Sequence, residues 1–198
     1  SVSKQFTAAA ILKLEMQKKL SIQDKLARFF PKAPEDKAGI TLLQMLSHTS
    51  GLPRGFDPAW KWDPASRQSL FDLALSLPLA NKPGAKFEYN NLPYGFLGAL
   101  VEEQSGKSFE DFCCEMLFDP AGMKSASFIG HERLDAERVP KSERGTGNFF
   151  PYGPRLDWGY RGCGGAMASV HDMFLWDRAL RGDKLLSKAA KTELYTPV

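Results

Sequence analysis

Cysteine, histidine and long apolar runs are all scarce in this chain. Only three cysteines occur in 198 residues, with Cys113 and Cys114 adjacent and Cys163 distant. An odd count with no C-x-x-C spacing argues against a disulfide framework and against a zinc site. Cys113 and Cys114 fall in a helical pattern, where at least one reads as a small core filler. The three histidines, His48, His131 and His171, lack metal-ligand spacing, so neither a metal nor a cofactor is expected. No apolar run is long enough to span a membrane. A charge excess is missing too: 26 basic residues face 23 acidic ones, for a net +3, and the longest basic cluster is Lys18-Lys19. That excludes the basic stripe of a nucleic-acid binder. Internal repeats and low-complexity tracts are absent.

What is present is enough apolar material for a core, 43% of the chain, which argues against global disorder. The length suits one domain or two small ones. Helix punctuation recurs. Residues 1 to 19 read as one helix. Ser21-Ile22-Gln23-Asp24 and Thr41-Leu42-Leu43-Gln44 have capping-box form. The first opens a short helix ending near Pro31, and the second opens one that stops at Ser50-Gly51. Residues 31–39 read as a polar loop, and residues 54–64 as a loop carrying Trp60 and Trp62. Further helices are expected over 66–77, 94–104, 108–117 and 169–181, with a last short one from Ser187. Residues 124–165 read as mostly irregular. Convincing strands are few.

The opening Ser1-Val2-Ser3-Lys4 is the sole S-x-x-K in the chain. A spacing of three puts both side chains on one helix face. A serine hydroxyl is a weak nucleophile until a neighbour takes its proton, and a lysine does so when burial or a nearby cation lowers its pKa. The Ala-rich Phe6 to Leu12 segment behind it looks like a buried helix. Tyr89-Asn90-Asn91 is the sole Y-x-N. A tyrosinate near cations can accept the serine proton and return it to a leaving group, and an asparagine amide can bond both a lysine and a substrate carbonyl. Taken alone, each motif reads first as structure: a helix cap with a solvated lysine, and a packed tyrosine beside a turn.

Together these stretches resemble the serine β-lactamase and penicillin-binding-protein superfamily, in its class C β-lactamase, D-alanyl-D-alanine carboxypeptidase and family VIII esterase branch. Leu46-Ser47-His48-Thr49-Ser50-Gly51-Leu52-Pro53, Pro83 to Asn91, and Gly164-Gly165-Ala166-Met167-Ala168-Ser169 extend the likeness in order along the chain. So does the ending from Leu185 to Val198. The resemblance implies an α+β family fold of which residues 1–198 supply a mainly α part: the nucleophile helix and the helical lobe. The sheet strands expected before residue 1 and after residue 198 are absent from the sequence. So is the K-T-G or H-x-G motif, since Lys191-Thr192-Glu193 lacks the glycine and Lys82-Pro83-Gly84 belongs to the turn before Tyr89. A second chain or further segments would then complete the sheet, and the opening helix would show an apolar face where the sheet normally lies. The family's oxyanion hole pairs the serine's own N–H with one from the missing strand; a free amine at Ser1 would not supply it.

The activity implied is that of a serine hydrolase working through an acyl-enzyme on a β-lactam, a D-Ala-type peptide or a small ester. Ser1, Lys4, Tyr89 and Asn91 are its catalytic residues. The alternative is a non-catalytic or penicillin-binding relative, or an inactive fragment. An N-terminal-nucleophile hydrolase using the Ser1 amine needs sheet layers that this helical sequence does not offer. The expected partner is a small-molecule or peptide substrate. Localisation is unknown from the residues, and the resemblance implies a periplasmic or secreted protein. His48 reads as structural, within the H-T-S-G-L turn. Trp60, Trp62, Tyr152 and Trp158 are equally cleft-lining or loop-anchoring.

Overall fold

A computed structural model describes residues 1–54, 66–134, 158 and 160–197. Its centre is α1 (Lys4–Met16), whose Lys4, Phe6, Thr7, Ala9, Ala10, Ile11, Leu12 and Leu14 are all buried. A helix apolar on nearly every side must be enclosed on nearly every side. Against it lies α6 (Leu92–Ser105), buried without a break from Leu92 to Val101. Around this pair come α2 (Leu26–Phe29), α3 (Glu35–Ala38), α4 (Leu42–Leu46) and α5 (Arg67–Ser76). Then α7 (Phe109–Cys113) continues through one wider π turn, Cys114–Phe118, into α8 (Asp119–Ala121). After β1 (Ser127–Phe128) and β2 (Ala166–Met167), α9 (Val170–Arg181) and α10 (Lys188–Tyr195) close the described chain.

Capping chemistry sets several of these boundaries. Thr41 and Gln44 form a reciprocal capping box on α4, and Ser169 and Asp172 form one on α9, each satisfying backbone N–H groups that a helix start leaves open. Ser66, Ser108 and Ser187 each accept a backbone N–H at the starts of α5, α7 and α10. Two aromatic clusters fill the interior. Phe6 meets Phe118 and Trp176 edge-on, both at 4.9 Å between ring centres. Phe30, Phe71 and Phe96 form the second cluster.

Four expectations change. Ser21 and Asp24 do bond, with the Ser21 N–H donating to the Asp24 carboxylate at 2.6 Å, but they close a turn. The helix waits until Leu26, because Lys25 first pairs with Thr41 as an isolated bridge. The polar loop over 31–39 contains the single helical turn α3. Residues 127–128 are not irregular: Ser127 and Phe128 pair antiparallel with Met167 and Ala166. Lastly, α1 shows no open apolar face. Phe6, Ile11 and Leu14 are at most 1% exposed, since α6, α7, the π turn and α10 lie against the helix. What stays open beside it is a cavity of ≈ 150 Å³ bounded by Ala8, Leu12, Ile22, Leu43 and Leu194.

Candidate active site

Three backbone segments converge at the start of α1. Ser1 precedes the helix by one turn, closed by the Lys4 N–H donating to the Ser1 carbonyl at 3.1 Å. Burial of α1 therefore buries Lys4, which is 7% exposed. The Tyr89-Asn90-Asn91 turn leads into α6. The 160–165 turn crosses both helices. It lies flat on α6 because a side chain at Gly98 would meet the Gly162 Cα at 3.1 Å. Gly162 itself sits at φ 76, where a Cβ would come within 2.2 Å of the Tyr94 carbonyl, so only glycine fits. Thr7 Oγ1 donates to the Gly162 carbonyl at 2.6 Å, tying this turn to α1. Ser3 Oγ accepts the Ala166 N–H at 3.0 Å and holds β2 there as well.

These constraints gather Ser1, Lys4, Tyr89 and Asn91, which sequence spacing singles out. Ser1 Oγ and Tyr89 Oη are 2.6 Å apart. Lys4 Nζ donates to Tyr89 Oη at 2.7 Å and to Asn91 Oδ1 at 2.6 Å. Its contacts to Ser1 Oγ at 3.3 Å and the Cys163 carbonyl at 3.4 Å are longer. Burying a lysine is costly unless its donors are met, and here they are met without any carboxylate among the described residues. Burial pushes the Tyr89 phenol up, but hydrogen bonds from Lys4 and Ser1 and the charge of Lys4 outweigh it. The phenol therefore lies below the ordinary tyrosine range. Tyr89 is 40% exposed, and its contact with Ser1 lies at the solvent-exposed surface.

Chemically, this is a serine hydroxyl bonded to an acidified phenol, with a lysine bridging phenol and amide. Among the described residues, no group of three or more His, Cys, Asp or Glu side chains could hold a metal ion. None of the three cysteines is in a disulfide, and all are buried.

Sequence reasoning missed the groups that hold the Tyr89 turn. Asn90 is 4% exposed. Its Nδ2 donates to the Leu52 and Pro53 carbonyls at 2.9 and 2.7 Å, and its Oδ1 accepts the Leu92 N–H at 3.0 Å. The Asn-Asn doublet was the available signal: one amide faces the core while the next faces Lys4. His48 does not reach Ser1; its Nδ1 accepts the Asn90 N–H at 3.2 Å. Trp158 stacks under the Arg161 guanidinium at 4.6 Å and packs on the core, a loop anchor. Trp60, Trp62 and Tyr152 lie outside the described residues.

The sequence model of the beta-lactamase family matches residues 1–197. The chain is 32% identical to a penicillin-binding protein of Bacillus subtilis (strain 168), over 100% of this chain and 48% of that protein. It is 30% identical to the D-aminopeptidase of Brucella anthropi, over 90% of this chain and 34% of that protein. It thus spans about half the length, or less, of these curated relatives. Among solved structures, a penicillin binding protein from Bacillus halodurans superposes with a TM-score of 0.78 at 28% identity, over 98% of this chain and 63% of that one. The D-amino acid amidase from Ochrobactrum anthropi SV3 shares the fold, with a TM-score of 0.76 at 22% identity over 97% of this chain and 58% of that one.

Proposed function

The chain belongs to the beta-lactamase family, and from that premise we propose that it carries the nucleophile half of a serine hydrolase working through an acyl-enzyme. The observation that carries this reading is the 2.6 Å approach of Ser1 Oγ to Tyr89 Oη, with Lys4 Nζ 2.7 Å from the same phenol. The phenol is nearer to Ser1 than Lys4 is, so Tyr89 takes the proton and Lys4 favours the phenolate by charge and hydrogen bond. Ser1 Oγ then bonds to the substrate carbonyl carbon. As the carbon–leaving-group bond breaks, Tyr89 returns the proton to the departing nitrogen or oxygen. Water attacks the acyl carbon by the same route and frees Ser1. Asn91 orients Lys4 and leaves its amide nitrogen for a substrate carbonyl.

The relatives named above act on or bind penicillins, D-amino-acid peptides or D-amino-acid amides, as their names state. That favours a β-lactam or a D-configured peptide or amide here, with a small ester as the third class. The test is intact mass of the full-length protein after incubation with a fluorescent penicillin and, separately, a fluorophosphonate. A single adduct on the Ser1 peptide, lost in Ser1→Ala, is expected. A correctly folded protein that takes neither label would end the proposal. A penicillin adduct that never hydrolyses would make the protein a penicillin-binding module without turnover.

A further inference from the structure

His48 is placed with more care than a turn residue needs. It adopts φ 60, a left-handed backbone uncommon outside glycine, which histidine enters more readily than most residues, as asparagine and aspartate do. Neighbouring bonds impose that conformation: the Thr49 N–H donates to the Gln44 carbonyl, Gly84 to Thr49, and Glu88 to the carbonyl of His48 itself, each at 2.8 Å. The imidazole then lies between two phenols, 4.7 Å from the Tyr89 ring and 5.0 Å from the Tyr94 ring, with Phe87 edge-on at 5.7 Å. Tyr94 is locked from below by its hydroxyl donating to the Leu46 carbonyl at 2.8 Å. From this wedge Nδ1 accepts the N–H of Asn90, the residue between Tyr89 and Asn91.

We propose that His48 is a positioning residue, whose Nδ1 fixes the Tyr89-Asn90-Asn91 turn so that the Tyr89 phenol and the Asn91 amide both meet Lys4. This rests on the hydrolase reading for its meaning, though not for its geometry. A backbone N–H between two side chains that must both reach Nζ sets the direction of each. Without that acceptor the turn is left to the Asn90 side-chain bonds, which anchor it from the core side and not from the side facing Lys4, and proton transfer weakens steeply with lost alignment. The acceptor is available only while Nδ1 carries no proton. Burial among the Tyr89, Tyr94 and Phe87 rings, then the charge of Lys4 on α1, keep it so, with no carboxylate bonded to it among the described residues.

Two substitutions separate the acceptor from the ring. In His48→Phe the aromatic wedge stays and the acceptor goes. In His48→Asn the ring goes, but Oδ1 stands where Nδ1 stood and asparagine tolerates positive φ. In the full-length protein, His48→Phe is expected to slow penicillin labelling of Ser1 at saturating probe by about ten- to a hundredfold, with the half-saturating concentration unchanged. The Tyr89 phenol titration, read by ultraviolet difference against Tyr89→Phe, is expected to move up towards the ordinary tyrosine value. His48→Asn is expected to restore both readouts. The proposal is overturned if the Phe variant labels as fast as the parent protein, if the Asn variant falls as far as the Phe variant, or if both lose rate only in step with thermal stability. Should the parent protein form no adduct at Ser1, the hydrolase reading fails, and the phenol titration alone then decides the role of His48.

Discussion

Tyr89 bonds both Ser1 and Lys4. Its hydroxyl lies 2.6 Å from Ser1 Oγ and 2.7 Å from Lys4 Nζ, while Lys4 reaches Ser1 only at 3.3 Å. Removing that one oxygen in Tyr89→Phe is therefore expected to slow acylation by about 10²–10⁴-fold with little loss of stability, since the ring stays against His48. Stopped-flow labelling and thermal unfolding check the two halves of this. His48 gives a second prediction at the same scale. Burial, then the charge of Lys4, pull its imidazole down to about 4 from the usual 6.5. The unfolded chain thus binds a proton that the folded one refuses between those values. The associated stability is whole above about 6.5 and drains away as pH falls through about 4. Allowing for a ring still partly open to water, the loss is about 1–2 kcal/mol, read as a pH-dependent urea midpoint that is flatter in His48→Asn. S-x-x-K and Y-x-N are legible in a sequence because chemistry restricts their residue types and spacing. The His48 and Asn90 bracket is not, because these two side chains bond main-chain N–H and carbonyl groups, whose place no side-chain pattern marks.

Among the elements, the 160–165 turn matters more than its irregular sequence suggests. It supplies the Cys163 carbonyl to Lys4 and is held by Thr7 from α1. Thr7→Val would leave the Gly162 carbonyl buried without its partner, costing about 1–3 kcal/mol. It is expected to slow Ser1 labelling too, because the turn that shapes the Lys4 pocket loosens. Gly162→Ala should be worse, since the side chain meets a main-chain carbonyl that cannot move aside. Denaturant midpoints and labelling rates of both variants test this order. Docking of α10 carries a different signature. Burial of Glu193, then its hydrogen bond and charge contact with Glu15 on α1, raise its carboxyl above the usual value. The folded state therefore holds that proton more tightly, and this preference is lost as pH rises through the raised value. Glu193→Gln is expected to raise the melting temperature at neutral pH and to leave it unchanged near about pH 3. Helices with serine or threonine caps were legible as elements. The β1–β2 pair was not: two residues per strand give no alternation to read, and the partners lie far apart in sequence.

At the scale of the molecule, the helix that bears Ser1 and Lys4 is also the middle of the core. Phe6 touches Phe118 from the π turn and Trp176 from α9, and Trp176 Nε1 donates to Gln5 Oε1 at 2.7 Å. The side chains on either side of Gln5 thus divide the work: Lys4 turns to the site and Phe6 to the interior. An apolar Ala-rich stretch after a serine announces burial in the sequence, but not which distant helices provide it. Because the two aromatic clusters belong to one continuous core with α1 and α6 between them, the described elements have no separate interior to unfold first. Phe6→Ala is then expected to cost about 3–5 kcal/mol and, in a background with Trp60, Trp62 and Trp158 replaced by Phe so that Trp176 alone emits, to lower the midpoints seen by fluorescence and by far-ultraviolet circular dichroism equally, in one transition. Labelling of Ser1 should fall in parallel with the folded fraction and not below it. A fluorescence transition that precedes the loss of helix would mean that α9 leaves α1 on its own, and that α1 does not depend on the whole core for its place.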